Sequence, residues 1–320
     1  MGDMTTALFY DERFLEHKTG TGHPERPDRL RALIAGLKEA GLLDRLTRPA
    51  FAPADRDILE RLHTPAYVQR CFEECRSGMP FIDSPDSAVC PESAQIAQLA
   101  VGGVLEAVRQ VMAGKVDNAF CAVRPPGHHA EARESMGFCL FGNVALAADY
   151  LTREYGLERV AVVDFDVHHG NGTQHLLEDR RDVFFVSLHE DPLVQFPGTG
   201  YANEVGKGDG EGFTLNIPLK SGADDATYQR AFEAQVLPEL AAYRPQFLLI
   251  SAGFDAAEQD PLGGMNVTTQ GFAWMSQQLV DVAEAHCGGR LVSVLEGGYD
   301  LDALSRGGVA HVLALLESGA

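Results

Sequence analysis

Six consecutive positions, Asp164 to His169, hold two aspartates and two histidines (Asp164, Asp166, His168 and His169), behind the apolar run Val160-Ala161-Val162-Val163 and ahead of Gly170-Asn171-Gly172. Residues two apart in an extended chain share a side, so Asp164, Asp166 and His168 project together where the strand runs out. A carboxylate and an imidazole at that spacing make half of a metal site, or else they cap the strand and the helix that follows. Asp255, at the end of Ser251-Ala252-Gly253-Phe254-Asp255, supplies a third ligand or caps a helix of its own. Two carboxylates and one imidazole leave a coordination position open for water and substrate, as in catalytic zinc centres. A metal held this way lowers the pKa of its water from 15.7 to about 7 and polarises a carbonyl oxygen.

Other reactive residues also follow apolar runs. His128-His129 lies behind Arg124-Pro125-Pro126-Gly127 and offers two imidazoles near neutral titration, able to take a proton from water and return it to a leaving amine. Gly297-Gly298-Tyr299 puts a phenol after a glycine turn. Its hydroxyl either donates to the oxyanion of a tetrahedral intermediate, an interaction worth about 3 kcal/mol, or its ring packs on the terminal helix. Phe138, next to Gly137, and Phe196, in Phe196-Pro197-Gly198, either wall an apolar channel or belong to the core.

The elements that must carry these residues alternate. Strands are predicted over 6–10, 119–123, 159–165, 182–188, 213–218, 246–252 and 290–295. Helices are predicted over 28–40, 55–62, 65–76, 92–112, 141–155, 223–243, 268–286 and 300–316. The alternation implies a single α/β domain over 1–320, with a mostly parallel sheet of about eight strands and helices on both faces. In such sheets ligands bind beyond the carboxyl ends of the strands, which is where these histidines, aspartates and glycines fall.

Composition bounds the function. The chain has 320 residues, 45% hydrophobic and 22% charged, with a formal charge of −20. That charge argues against nucleic acid as a direct partner; it either steers cationic substrates or, the better reading, marks an ordinary acidic cytosolic protein. No window reaches about 18 uninterrupted apolar residues, so no membrane span is expected. The first 14 residues read as neither a secretory signal nor, at Met1-Gly2, a myristoylation site. Cys71, Cys75, Cys90, Cys121, Cys139 and Cys287 form no C-x-x-C pair and read as reduced thiols, which places the chain in the cytoplasm and leaves no thiolate cage for structural zinc.

Taken in order, the motifs resemble those of the histone deacetylase family of the arginase–deacetylase fold, most closely its class II and bacterial amidohydrolase-like members. They are H-P-E-R (23–26), R-P-P-G-H-H (124–129), G-F-C (137–139), D-F-D-V-H-H-G-N-G-T (164–173), S-L-H (187–189), F-P-G-T-G (196–200), S-A-G-F-D (251–255), D-P-L-G-G (260–264) and E-G-G-Y (296–299). The resemblance implies a zinc-dependent amide hydrolase, with Fe²⁺ as an alternative metal, that releases acetate or another acyl group from an ε-amino group. It makes Asp166, His168 and Asp255 the ligands of one metal per chain. His129 becomes the general base and acid with His128 beside it, Asp164 and Asn171 orient the two histidines, and Tyr299 polarises the carbonyl. Gly137, Phe138, Phe196, Leu262 and Gly297 are implied to contact substrate, with Asp86 or Ser87 on its backbone amides, and Arg26 is implied to sit at an inner acetate pocket. Structural potassium is implied near Asp164, Asp166, His168, Ser187 and Leu188, with a second ion near Leu177, Arg180, Val183 and Phe213. An arginase-type two-metal site is rejected because Gly170 stands where a further aspartate is needed. The implied substrate is an acylated lysine in a peptide or protein. Small acylated amines are the alternative, disfavoured because Leu262 cannot pair with a secondary ammonium as a glutamate there would. The resemblance leaves a monomer and a homo-oligomer equally open.

Overall fold

The computed structural model describes residues 5–318, and the reading of the Met1-Gly2 start falls outside them. Seven strands form one parallel sheet: β1 (Thr6–Phe9), β2 (Asn118–Cys121), β3 (Val160–Asp164), β4 (Val183–Glu190), β5 (Thr214–Leu219), β6 (Phe247–Ala252) and β7 (Leu291–Leu295). Seven, rather than about eight, is the count among the described residues. Every residue of β1, β2, β3, β4, β6 and β7 is buried, which is why these segments are mostly apolar. β5 leaves Leu215 and Pro218 half-buried, and an edge strand tolerates the proline.

The helices are α1 (Asp28–Glu39), α2 (Arg56–Leu59), α3 (Pro65–Arg76), α4 (Ser93–Met112), α5 (Asn143–Tyr155), α6 (Asn171–Leu177), α7 (Asp225–Ala231), α8 (Leu237–Tyr243), α9 (Thr269–Val282) and α10 (Leu301–Leu316). α4 and α5 pack on the sheet, while α1, α9 and α10 pack together as a further layer. The single helix expected over 223–243 is split into α7 and α8 by a wide π turn at Phe232–Val236. Pro238, at the start of α8, has no N–H to donate to the preceding turn. Among the described residues no helix is long and apolar enough to cross a membrane.

The strand order is β1-β2-β7-β6-β3-β4-β5. After β3 the chain moves outward to β4 and β5, then returns to β6 on the other side of β3 and continues to β7. Connections therefore leave the β3–β6 pair in opposite directions, which opens a crevice beyond their carboxyl ends. Asp164, the last residue of β3, pairs in register with Ser251 of β6 on one side and Ser187 of β4 on the other.

Candidate active site

The crevice holds the residues that the spacing singled out. Asp166 and His168 follow β3, and Asp255 faces them from the segment after β6. One ligand atom from each of the three lies within 4.8 Å of the others, and all three residues are buried. The two-residue period survives past the strand end because backbone amides are tied to the carboxylates. Asp164 Oδ1 accepts the Asp166 N–H at 3.1 Å, and Asp166 Oδ1 accepts the His168 N–H at 2.9 Å.

The donor set fits a divalent cation. His168 Nδ1 stands 3.0 Å from Asp166 Oδ1 and 3.3 Å from Asp255 Oδ2, so the atoms converge on a common point. Asp255 Oδ1 accepts the Val167 N–H at 2.9 Å, whereas Oδ2 is buried with no hydrogen-bond partner. Burial and the neighbouring charge of Asp166 push the Asp255 carboxyl up to about 7. Two buried carboxylates this close repel each other, and a shared cation removes that cost. The floor also excludes any side chain at Gly297, where a Cβ would lie 1.9 Å from Asp255 Oδ2 and 2.6 Å from Asp166 Oδ2. Gly297 instead donates its N–H to Asp166 Oδ2 at 2.7 Å. Expected to contact substrate, it lies under the ligands and does not line the cavity above them.

His128 and His129 reach the site from the loop after β2, with ring centroids 4.0 Å apart. His128 Nδ1 bonds Asp164 Oδ2 at 3.0 Å, and His129 Nδ1 lies 2.6 Å from Asn171 Oδ1. The pairs expected from the resemblance are therefore assembled. Burial pushes both imidazoles down, but Asp166 and Asp164 outweigh it at His128 and hold that ring well above the ordinary histidine value. At His129 burial prevails, reinforced by His128 and His168, and holds the ring well below it. The surroundings thus favour the charged form of His128 and the neutral form of His129.

Above these groups opens a cavity of about 250 Å³ lined by Asp86, His129, Gly137, Phe138, His168, Gln195, Phe196, Leu262 and Tyr299. Gly137 and Phe138, at φ 53° and 69°, form the centre of a tight turn closed by the Met136–Cys139 bridge. Positive φ at both central positions is the signature of a type I′ turn, and at Phe138 it stores roughly 1–3 kcal/mol of strain. At Gly137 no side chain fits, since a Cβ would stand 2.2 Å from His129 Cδ2. The Phe138 ring meets Tyr299 edge-on at 5.7 Å and the Phe196 ring meets His129 edge-on at 5.0 Å, so both phenylalanines are walls rather than core. Burial holds the Tyr299 phenol well above its usual value, so it stays a donor. Of the two loop candidates, Asp86 lines the cavity and Oδ2 accepts the Gly137 N–H at 3.2 Å, whereas Ser87 is buried away from it.

Arg26 is the main correction. Its side chain is 42% exposed and faces Asp28 at 3.5 Å, so it does not sit at an inner position. The buried place belongs to Arg29, which donates to the carbonyls of Gly298 at 2.6 Å and Glu296 at 2.5 Å and lies 4.9 Å from the centre of the Tyr299 ring. Glu25 pairs with Arg29 at 3.1 Å and also with Arg124, all three side chains being fully buried. The missed signal was a charge on an apolar face: Arg29 is one helical turn before Leu33 and two before Leu37. Gln195 was missed as well. Its Nε2 joins Glu190 to the Leu262 carbonyl, each at 2.9 Å, and nothing in its sequence context marks it. Among the residues read as potassium-binding, Asp164 is the register partner of Ser187, next to Leu188. The Leu177 carbonyl accepts the Arg180 N–H at 3.0 Å near the start of β4 at Val183, and the Phe213 carbonyl accepts the Phe185 N–H at 3.0 Å.

Known proteins are similar to this chain in sequence and fold. The model of the histone deacetylase domain matches residues 23–315. Histone deacetylase 15 of Arabidopsis thaliana is 41% identical over 98% of this chain, which spans 57% of that relative's length. The histone deacetylase-like amidohydrolase of Pseudomonas aeruginosa is 40% identical, covering 92% of this chain and 81% of its own. A probable deacetylase of Archaeoglobus fulgidus is 39% identical, covering 93% and 82%. The crystal structure of the HDA15 HD domain superposes with a TM-score of 0.93 at 40% identity, over 99% of this chain and 90% of that one. The fold and these relatives define a hydrolase acting on amide bonds. The chain belongs to the histone deacetylase family.

Proposed function

We propose that the chain is a zinc-dependent deacetylase that hydrolyses the amide of acetyl-lysine in proteins or peptides and releases acetate. The observation that carries this reading is the convergence of Asp166, His168 and Asp255 directly beneath a narrow cavity walled by Phe138, Phe196 and Leu262, with His129 and Tyr299 at its inner end. Bound to those three residues, zinc supplies Lewis acidity toward water and the substrate carbonyl. His129, neutral at its free Nε2, takes a proton from the attacking water and returns it to the leaving amine. His128, charged and held by Asp164, balances the negative charge that develops beside it. The Tyr299 hydroxyl donates to the carbonyl oxygen as it becomes an oxyanion. The sum is amide plus water to acetate plus lysine. Arg29, in place of Arg26, faces the acetate side. Potassium at the two positions the resemblance implies and residence in the cytoplasm belong to the same reading; six free cysteines, five of them buried, support a reducing compartment.

The test compares kcat/KM on acetyl-lysine peptides and on N-acetylated polyamines with the zinc-loaded enzyme. The peptide is preferred, because Leu262 stands where a glutamate would pair with a second ammonium, and the one carboxylate on the cavity wall, Asp86, already accepts the Gly137 N–H. A polyamine preference of about tenfold or more, equivalent to 1.4 kcal/mol, overturns the substrate assignment.

A further inference from the structure

Asn171, in the first turn of α6, has its side-chain amide wedged between His129 and Glu131. Oδ1 lies 2.6 Å from His129 Nδ1, and Nδ2 donates to Glu131 Oε1 at 2.6 Å. The other neighbours of Nδ2 are Met136 Sδ at 3.3 Å and the His129 carbonyl at 3.5 Å. All three are acceptors, so the surroundings admit only one orientation of the amide. With an amide oxygen held against it, His129 Nδ1 must carry the ring hydrogen, and the Nε2 lone pair is left free.

An asparagine alone does not secure that outcome. Rotation by 180° about χ2 exchanges oxygen for nitrogen at little cost, turns an N–H toward His129 Nδ1, and selects the opposite tautomer. Glu131 forbids the rotation, since it would face its carboxylate with an amide oxygen. Glu131 is itself fixed: Oε1 also accepts from His175 Nδ1 at 2.8 Å, its backbone N–H donates to the Glu134 carbonyl at 3.0 Å, and its own carbonyl bonds His63 Nδ1 at 2.8 Å.

We infer that Glu131 is a positioning residue of the reaction: acting through Asn171, it locks His129 in the Nδ1–H tautomer that leaves Nε2 able to accept a proton. The inference rests on His129 serving as the general base. It assigns the outer carboxylate a job usually given to an acid bonded directly to the histidine, and it keeps the group touching His129 uncharged.

The test is a double-mutant cycle of Glu131→Gln and Asn171→Asp in the zinc-loaded enzyme. Glu131→Gln, whose amide can turn over together with Asn171, lowers kcat about tenfold with KM within about twofold. Asn171→Asp sets two carboxylates against each other and lowers kcat about a hundredfold. In the double variant the introduced glutamine amide donates to the introduced aspartate, and kcat recovers to within about tenfold of wild type, a coupling expected only of residues in contact. Losses that simply multiply overturn the inference. The ¹⁵N shifts of the His129 imidazole give a readout independent of turnover: a single Nδ1–H tautomer in the wild type and a mixture in Glu131→Gln support it, and an unchanged tautomer in Glu131→Gln refutes it. A wild-type chain inactive on acyl-lysine defeats the proposed function, while the tautomer measurement still decides the role of Glu131.

Discussion

On one side of Tyr299, Asp166, His168 and Asp255 bring two carboxylates and an imidazole to a single point. On the other, Glu25, Arg29 and Arg124 bring two guanidiniums to one carboxylate. Both groups are buried, yet only the second satisfies itself. Arg124 divides its donors among Glu25, the Phe14 carbonyl and the His17 carbonyl, and Arg29 spends its own on Glu25 and two carbonyls of the segment that carries Tyr299. The first group leaves Asp255 Oδ2 without a hydrogen bond and its carboxylates in mutual repulsion. A buried ion cluster that closes on itself supports structure, whereas one left short of positive charge is built to receive a cation.

The comparison breaks most sharply at the ligands. Asp255→Asn should lower zinc affinity by more than about a hundredfold and abolish turnover at ordinary zinc concentrations, as metal analysis and an acetate-release assay will read. In the metal-free protein the same substitution relieves repulsion and raises the urea midpoint. Tyr299→Phe should cost about 10²–10³ in kcat while the zinc content stays at one per chain, because the phenol acts on the substrate and not on the metal.

Glu25→Gln leaves two buried guanidiniums sharing no anion and should destabilise the fold by about 3–5 kcal/mol, read by denaturant unfolding, with zinc affinity of the folded fraction unchanged. The smallest effect is a pH dependence. Burial alone would raise the Glu25 carboxyl, but Arg124 and His17 outweigh it and hold it well below its ordinary value of 4.5. A depressed folded-state pKa gives stability that is present in full above that unfolded value and is lost as pH falls through the folded one. The gap in stability between wild type and Glu25→Gln should therefore stay constant above pH 4.5 and narrow below it. A constant gap down to acid unfolding would show that Glu25 acts by shape alone.

The two clusters also mark how far the sequence could be read. The metal cluster was legible because its residues end apolar strands at a two-residue period, and the switch point after β3 and β6 then unites them. Parallel pairing was legible from the alternation of elements, although the break between α7 and α8 depended on where Pro238 fell in the turn. The arginine cluster was harder to read, because Arg124 joins Glu25 and Arg29 from about a hundred residues away, and the only local sign was the charge of Arg29 on the apolar face of α1. Motif likeness pointed to Arg26, three residues before the buried arginine, but the start of α1 at Asp28 turns Arg26 outward and Arg29 inward. Contacts made by long side chains across loops, such as those of Gln195 and Glu131, leave no period and no motif to read.

The central claim is that this site turns over acyl-lysine only when the three converging ligands hold a metal. The most direct measurement is a titration of metal-stripped protein with zinc, following acetate release from an acetyl-lysine peptide alongside bound metal. The account predicts no turnover without metal, a linear rise to an endpoint of one zinc per chain, and loss of that rise in Asp255→Asn. Full turnover in the stripped protein, or a rise that persists in Asp255→Asn, would contradict it.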